Sequence, residues 1–145
     1  MSGMRAFLRY AWASPATLVG FGVASFALLT GARAAVCEGV LEVAGGGFGR
    51  AVSRLPPVLR FSAITLGHVV LAVDRAALEE CRCHERVHVR QYERWGVFFF
   101  PLYIGSSLLA LMRGRDPYWE NHFEREAYRV ERDARRRSVS RAVRH

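Results

Sequence analysis

Lysine is absent from this chain: all 21 basic residues are arginine, set against 13 acidic residues, for a net charge of +8. Arginine suits phosphate and lipid headgroups. The complete loss of one basic residue type, however, reads as a bias in base composition, so the charge alone assigns no ligand. Cysteine is scarce too. Cys37, Cys81 and Cys83 are odd in number and spaced like no disulfide framework or zinc ribbon. Small buried thiols are the ordinary use of such residues. No internal repeat is visible, and no nucleic-acid-binding motif accompanies the arginines, so a nucleic-acid partner is not expected.

Apolar residues are plentiful: 51% of the 145 residues are hydrophobic, concentrated in two blocks, which favours membrane attachment. Ala11 to Ala32 is a run of 22 residues without a charge. At 1.5 Å per residue a helix of that length crosses a hydrocarbon layer of about 30 Å, so an N-terminal transmembrane helix is expected. Its rival is a signal peptide, with Arg5 and Arg9 as the basic start and Ala32-Arg33-Ala34 as an A-x-A site. The second block, Val97 to Met112, has 16 residues and contains Pro101. It is short for a full span and reads as a helix packed on the domain or dipping into the membrane.

Between the blocks, Val36 to Ala44 alternates like a half-buried strand, and Leu59 to Val73 is rich in β-branched residues, with Gly67 marking a bulge. A small antiparallel sheet is expected. It leads into a helix from Asp74, a good N-cap, to Trp95, ended by Gly96. That helix carries His84-Glu85-Arg86-Val87-His88, an H-E-x-x-H. Two imidazoles four residues apart share one helix face and can reach one Zn²⁺, while Glu85 beside them can act as general base on a water. His68, in the preceding strand, reads as a sheet residue.

A catalytic zinc needs a third protein ligand. Downstream, Tyr118 to Tyr128 offers Glu120, His122, Glu124 and Glu126, on a helix expected from Pro117 to about Arg137. Here the chain resembles the gluzincin metallopeptidases, whose second motif is a helical E-x-x-A/S-D bearing a glutamate ligand. Glu124-Arg125-Glu126-Ala127 fits E-x-x-A, so the resemblance implies Glu124. Helical spacing from Trp119 and Phe123 instead places Glu126 on the apolar face. The chain is also similar, over about residues 61 to 128, to small bacterial membrane proteins pairing H-E-x-V-H-V-x-Q-x-E with a later N-x-F-E-x-E-A. That resemblance implies membership and a bacterial inner-membrane setting, and it supplies no activity.

Three departures stand out. Arg86 and Arg90 occupy positions that are uncharged in zincin helices, and Tyr128 replaces the gluzincin Asp, so Glu93 or Glu126 must orient an imidazole. No transition-state donor is marked, although Tyr118, His122, Arg125 and Tyr128 are candidates. Topology adds a constraint: were Val97 to Met112 to cross a bilayer, His84 and His88 would be separated from Glu124.

The expected protein is therefore α+β, with a membrane anchor over residues 1–34, a zincin-like domain over 35–131 and a basic, disordered tail over 132–145. Its expected activity is zinc-dependent hydrolysis of a peptide bond, with membrane lipid and a polypeptide substrate as partners. The alternative is a non-catalytic membrane scaffold or regulatory protein that keeps the fold and docks its tail on lipid. Arg5 and Arg9 before the first span favour a cytoplasmic N-terminus and an exported domain, whereas the arginine-rich tail favours a cytoplasmic one.

Overall fold

The computed structural model describes residues 2–142, with side chains described from Tyr10 to Arg141. The side chains of Arg5 and Arg9, and the tail beyond Ala142, lie outside the described residues. The elements are α1 (Ser2–Leu29), β1 (Ala32–Cys37), β2 (Val40–Gly45), α2 (Gly46–Ser53), β3 (Ala63–Leu66), β4 (Val69–Ala72), α3 (Arg75–Trp95), α4 (Phe99–Met112) and α5 (His122–Ala142). Single 3-10 turns occupy Pro57–Leu59 and Gly96–Phe98. The class is α+β, as expected from the sequence.

Pro15 lies inside α1 rather than at its start. Proline has no N–H, so the carbonyl four residues back loses its usual partner. Ser14 Oγ donates to that carbonyl, of Ala11, at 2.7 Å, and the helix continues.

The expected strand over Val36 to Ala44 is instead a hairpin, folded at Glu38 and Gly39, which both have positive φ (49° and 77°). Paired positive φ values make the two-residue turn whose twist matches its strands. β3 and β4 form a second hairpin, with Gly67 (φ 63°) in its turn rather than in a bulge. The sheet order is β1-β2-β4-β3, and the central pair, β2 with β4, runs parallel. The fully antiparallel expectation is thus corrected to a mixed sheet. The return from β2 to β4 passes through α2 and then β3. β4 is buried along its whole length, because helices cover both faces of the sheet.

On one face, Ala24 and Ala27 of α1 pack with Val43, Val69 and Leu71; on the other, Leu78 and Val89 of α3 pack with Val40, Val70 and Ala72. A third cluster of Ala13, Tyr92, Phe99 and Phe123 ties α1, α3, α4 and α5 together. α1 therefore contributes residues to the core, and residue 34, the expected boundary, falls inside β1.

α5 begins at His122, not near Pro117, because Asp116 Oδ1 accepts from the N–H groups of Tyr118 and Trp119 and holds a turn there. Asn121, wholly buried, caps the helix by accepting from Phe123 N–H, and it donates to Tyr103 O and Ser107 Oγ of α4. α5 then runs through the arginine-rich stretch to Ala142, where the sequence reading placed a disordered tail.

Candidate metal centre

α3 has the caps its sequence suggests: Asp74 Oδ1 accepts from Ala77 N–H at 2.8 Å, and Gly96, at φ 54°, ends the helix. The i, i+4 spacing sets His84 and His88 one turn apart on the buried face, where the start of α5 meets it. The Nε2 atoms of the two rings are 3.1 Å apart. Glu124 Oε2 lies 3.1 Å from His84 Nε2, and Glu124 Oε1 lies 3.4 Å from His88 Nε2. All three side chains are buried. Ligand atoms around a tetrahedral ion with bonds of about 2.0–2.1 Å are separated by roughly 3.3 Å, so these spacings suit a small metal ion.

The hydrogen bonds around the rings decide which nitrogen faces inward. Gln91 Nε2 donates to Phe123 O at 3.1 Å and to Glu126 Oε2 at 2.9 Å. Its Oε1 is therefore the atom 2.8 Å from His88 Nδ1, which must carry the proton, leaving the Nε2 lone pair for a cation. His84 Nδ1 is buried without a hydrogen bond, and Glu131 Oε2 stands 3.6 Å away. A metal-binding histidine commonly turns its second nitrogen to such a carboxylate. Tyr103 completes the set by donating to Glu124 Oε1 at 2.7 Å.

Lone pairs facing one another at these distances call for a positive charge between them, a proton or a metal ion. Burial pushes the Glu124 carboxyl up, but the hydrogen bonds of His84 and His88, the His88 charge and Tyr103 outweigh it and hold the group well below the usual carboxylate range. Burial opposes a charge on His88, yet the hydrogen bond and charge of Glu124, with Glu85 and Gln91, lift it above the ordinary imidazole value.

Glu85 is buried beside the centre. Thr65, on β3, donates to its Oε2 at 2.7 Å. A cavity of about 240 Å³ joins Glu85, His84, His88 and Glu124 to apolar walls from Ile64, Tyr92 and Phe99. Tyr118 lines it as well, with its hydroxyl 3.0 Å from that of Tyr128, whose ring lies against His84. Desolvation of the hydroxyl and that hydrogen bond push the Tyr118 phenol up although the residue is 42% exposed, so it keeps its proton.

Of the residues expected from sequence, His84, His88, Glu85 and Glu124 come together. Glu126 does not join them: because α5 starts at His122, its carboxylate is turned to Gln91 and to Arg94, 3.9 Å away. Glu93 is not at the centre either, since it pairs with His68 Nε2 at 3.2 Å, away from the cavity. His68 itself sits in the hairpin turn, stacked on Tyr10. His122 and Arg125 are exposed, while Tyr118 and Tyr128 are at the site. Cys81 is half-buried and lines a neighbouring hollow beside His84. Arg86, a departure from the zincin pattern, turns to the sheet, where its Nη2 donates to Cys37 O at 2.7 Å and to Glu42 Oε1 at 3.1 Å. Arg90 is exposed. Sequence reasoning missed Thr65, Tyr103 and Glu131 and gave Gln91 no role, although its place on the His84 and His88 stripe was a usable signal.

Compared with protein-family models, curated proteins and solved structures, the chain matches none.

Proposed function

We propose that this protein is a membrane-attached, zinc-dependent peptidase of the zincin kind. The observation that carries the reading is the convergence of His84, His88 and Glu124, all buried, on one point beside Glu85 in a single cavity. These three side chains would hold the ion. Zinc bound there supplies Lewis acidity, polarising a water and a substrate carbonyl. Glu85, with Oε2 held by Thr65, uses its other oxygen to take the water's proton and deliver it to the leaving amine. Tyr118 donates toward the developing oxyanion. β3 is one of the sheet's two edge strands and lines the cavity, so an extended polypeptide can add to it.

By length and composition two helical stretches could cross a membrane: Tyr10–Leu29 within α1, and Arg75–Met112, which the 3-10 turn at Gly96–Phe98 divides into α3 and α4. α1 turns Ala13, Gly20, Ala24 and Ala27 to the protein and leaves Leu18, Val19, Phe21 and Phe26 exposed, as a helix with one face in lipid would. α4 has 14 residues, about 21 Å of helix, and falls short of a hydrocarbon layer of about 30 Å. Its exposed Phe100, Leu108, Leu109 and Leu111 suit shallow insertion, which keeps Glu124 on the same side as His84 and His88.

Glu85→Gln tests the reading. Zinc should stay bound while cleavage of an unstructured polypeptide, followed by mass spectrometry, disappears; undiminished cleavage would refute the assignment. A second reading, a non-catalytic membrane scaffold, draws on the hydrogen bonds by which His84, His88 and Glu124 also satisfy one another. Undisturbed function in cells after His84→Ala with His88→Ala would favour it.

A further inference from the structure

An open groove of about 1000 Å³ runs along α5, and its acidic lining is Glu131 alone. Arg125, Arg129, Arg132 and Arg136 step by four, three and four, which places them on one helix face. Arg125 reaches Glu120 at 3.5 Å, and Arg135, beside the stripe, holds Glu131 at 2.7 Å. Arg129, Arg132 and Arg136 have no carboxylate partner among the described residues. Like charges a helical turn apart repel one another and weaken the helix. The fold gains nothing from this stripe, which points to an anionic occupant.

We propose that the groove seats an acidic segment of a polypeptide, and, resting on the peptidase reading, that this segment flanks the bond presented to Glu85. The groove shares Tyr128, Glu131 and Arg135 with the hollow that holds His84 and Glu85, so one chain can occupy both. Arg125 to Arg136 spans about 16 Å of helix, the length of about five extended residues. Trp119, exposed in the wall, adds an apolar surface for a side chain. A flat layer of lipid headgroups would touch the helix crest and leave the shared wall empty, and the exposed apolar faces of α1 and α4 already supply a membrane side.

The test uses the full chain in a zwitterionic detergent and a fluorescein-labelled peptide containing a block of glutamates, read by anisotropy at two salt concentrations. Arg129→Gln/Arg132→Gln/Arg136→Gln should weaken binding about tenfold or more, and added salt should weaken the wild type. Arg33→Gln/Arg54→Gln/Arg113→Gln removes the same charge elsewhere and should change it by less than about twofold. Equal losses in the two triple variants would overturn the proposal. So would a peptide that fails to bind while phosphatidylglycerol vesicles or single-stranded DNA bind through the same three arginines. Glu85→Gln and His88→Ala should both keep peptide binding. A wild type that binds the peptide yet holds no metal or cleaves nothing would overturn the peptidase reading and leave the groove standing.

Discussion

Gln91 and His88 are locked to each other: Gln91 Oε1 accepts from His88 Nδ1 at 2.8 Å, while Phe123 O and Glu126 fix the other end of the amide. The consequence is a histidine whose Nε2 faces Glu124 with its lone pair free. Gln91→Leu should keep the fold and weaken metal binding by about 10–100-fold, measured by competition with a chelating dye. Gln91→Glu preserves the acceptor and should hold affinity closer to wild type. Equal affinity in the leucine variant would remove Gln91 from the centre.

α1 approaches the sheet so closely at Gly20 that an added Cβ would lie 2.8 Å from Val69 Cβ and 2.9 Å from Leu66 O. Neither the buried valine nor the backbone can yield cheaply. Gly20→Val should therefore destabilise the whole domain by about 1–3 kcal/mol or more, seen as a lower Tm in detergent. A detachable anchor would instead tolerate the change, with no shift in Tm.

Glu42, 2% exposed on β2, binds Arg82 Nη2 at 3.0 Å and Arg86 Nη2 at 3.1 Å on α3. Removing one partner of a buried pair leaves an uncompensated charge, and breaking such pairs costs about 3–5 kcal/mol. Most of that loss belongs to Arg86, because Arg82 is 41% exposed and screened by solvent. Glu42→Ala should lower Tm by about 10 °C; an unchanged melting curve would show that the pair is not part of the core.

Protonation of the centre has a defined sign. Glu124 is lowered from 4.5, so its contribution is complete above that value and lost as pH falls through the folded one. His88 is raised from 6.5, so its contribution is complete below that value and lost as pH rises through the folded one. For this pair, chelator-treated protein should be most stable between about pH 4.5 and 6.5 and should lose stability at alkaline pH. Zinc bound at the proposed centre would take the place of the proton on His88, so zinc-loaded protein should lack that alkaline loss. Tm against pH, with and without zinc, checks this; parallel curves would contradict it.

Local chemistry made the motif helix readable. Asp74, Gly96 and the His84 and His88 spacing lie within one element, and each does in the fold what its residue type favours. Glu38 and Gly39 were harder, because a glutamate at positive φ gives no turn signal and the alternation simply continued through it. The choice between Glu124 and Glu126 turned on where α5 starts, which depends on Asp116 holding a turn and Asn121 bonding across to α4. Glu131 and Thr65 reach the centre from a later helix turn and from a neighbouring strand, and only the packing of α5 and β3 against α3 brings them there. α1 is long and apolar enough to cross a membrane, as its sequence suggested; its inner row of small residues, which also packs it against the sheet, was not read.

Metal content is the most direct test of the centre. Full-length protein purified in detergent, exposed to zinc and freed of excess, is analysed by inductively coupled plasma mass spectrometry beside the His88→Ala variant. The wild type should carry about one zinc per chain and the variant close to none; a wild type without metal, or equal metal in both proteins, would contradict the centre.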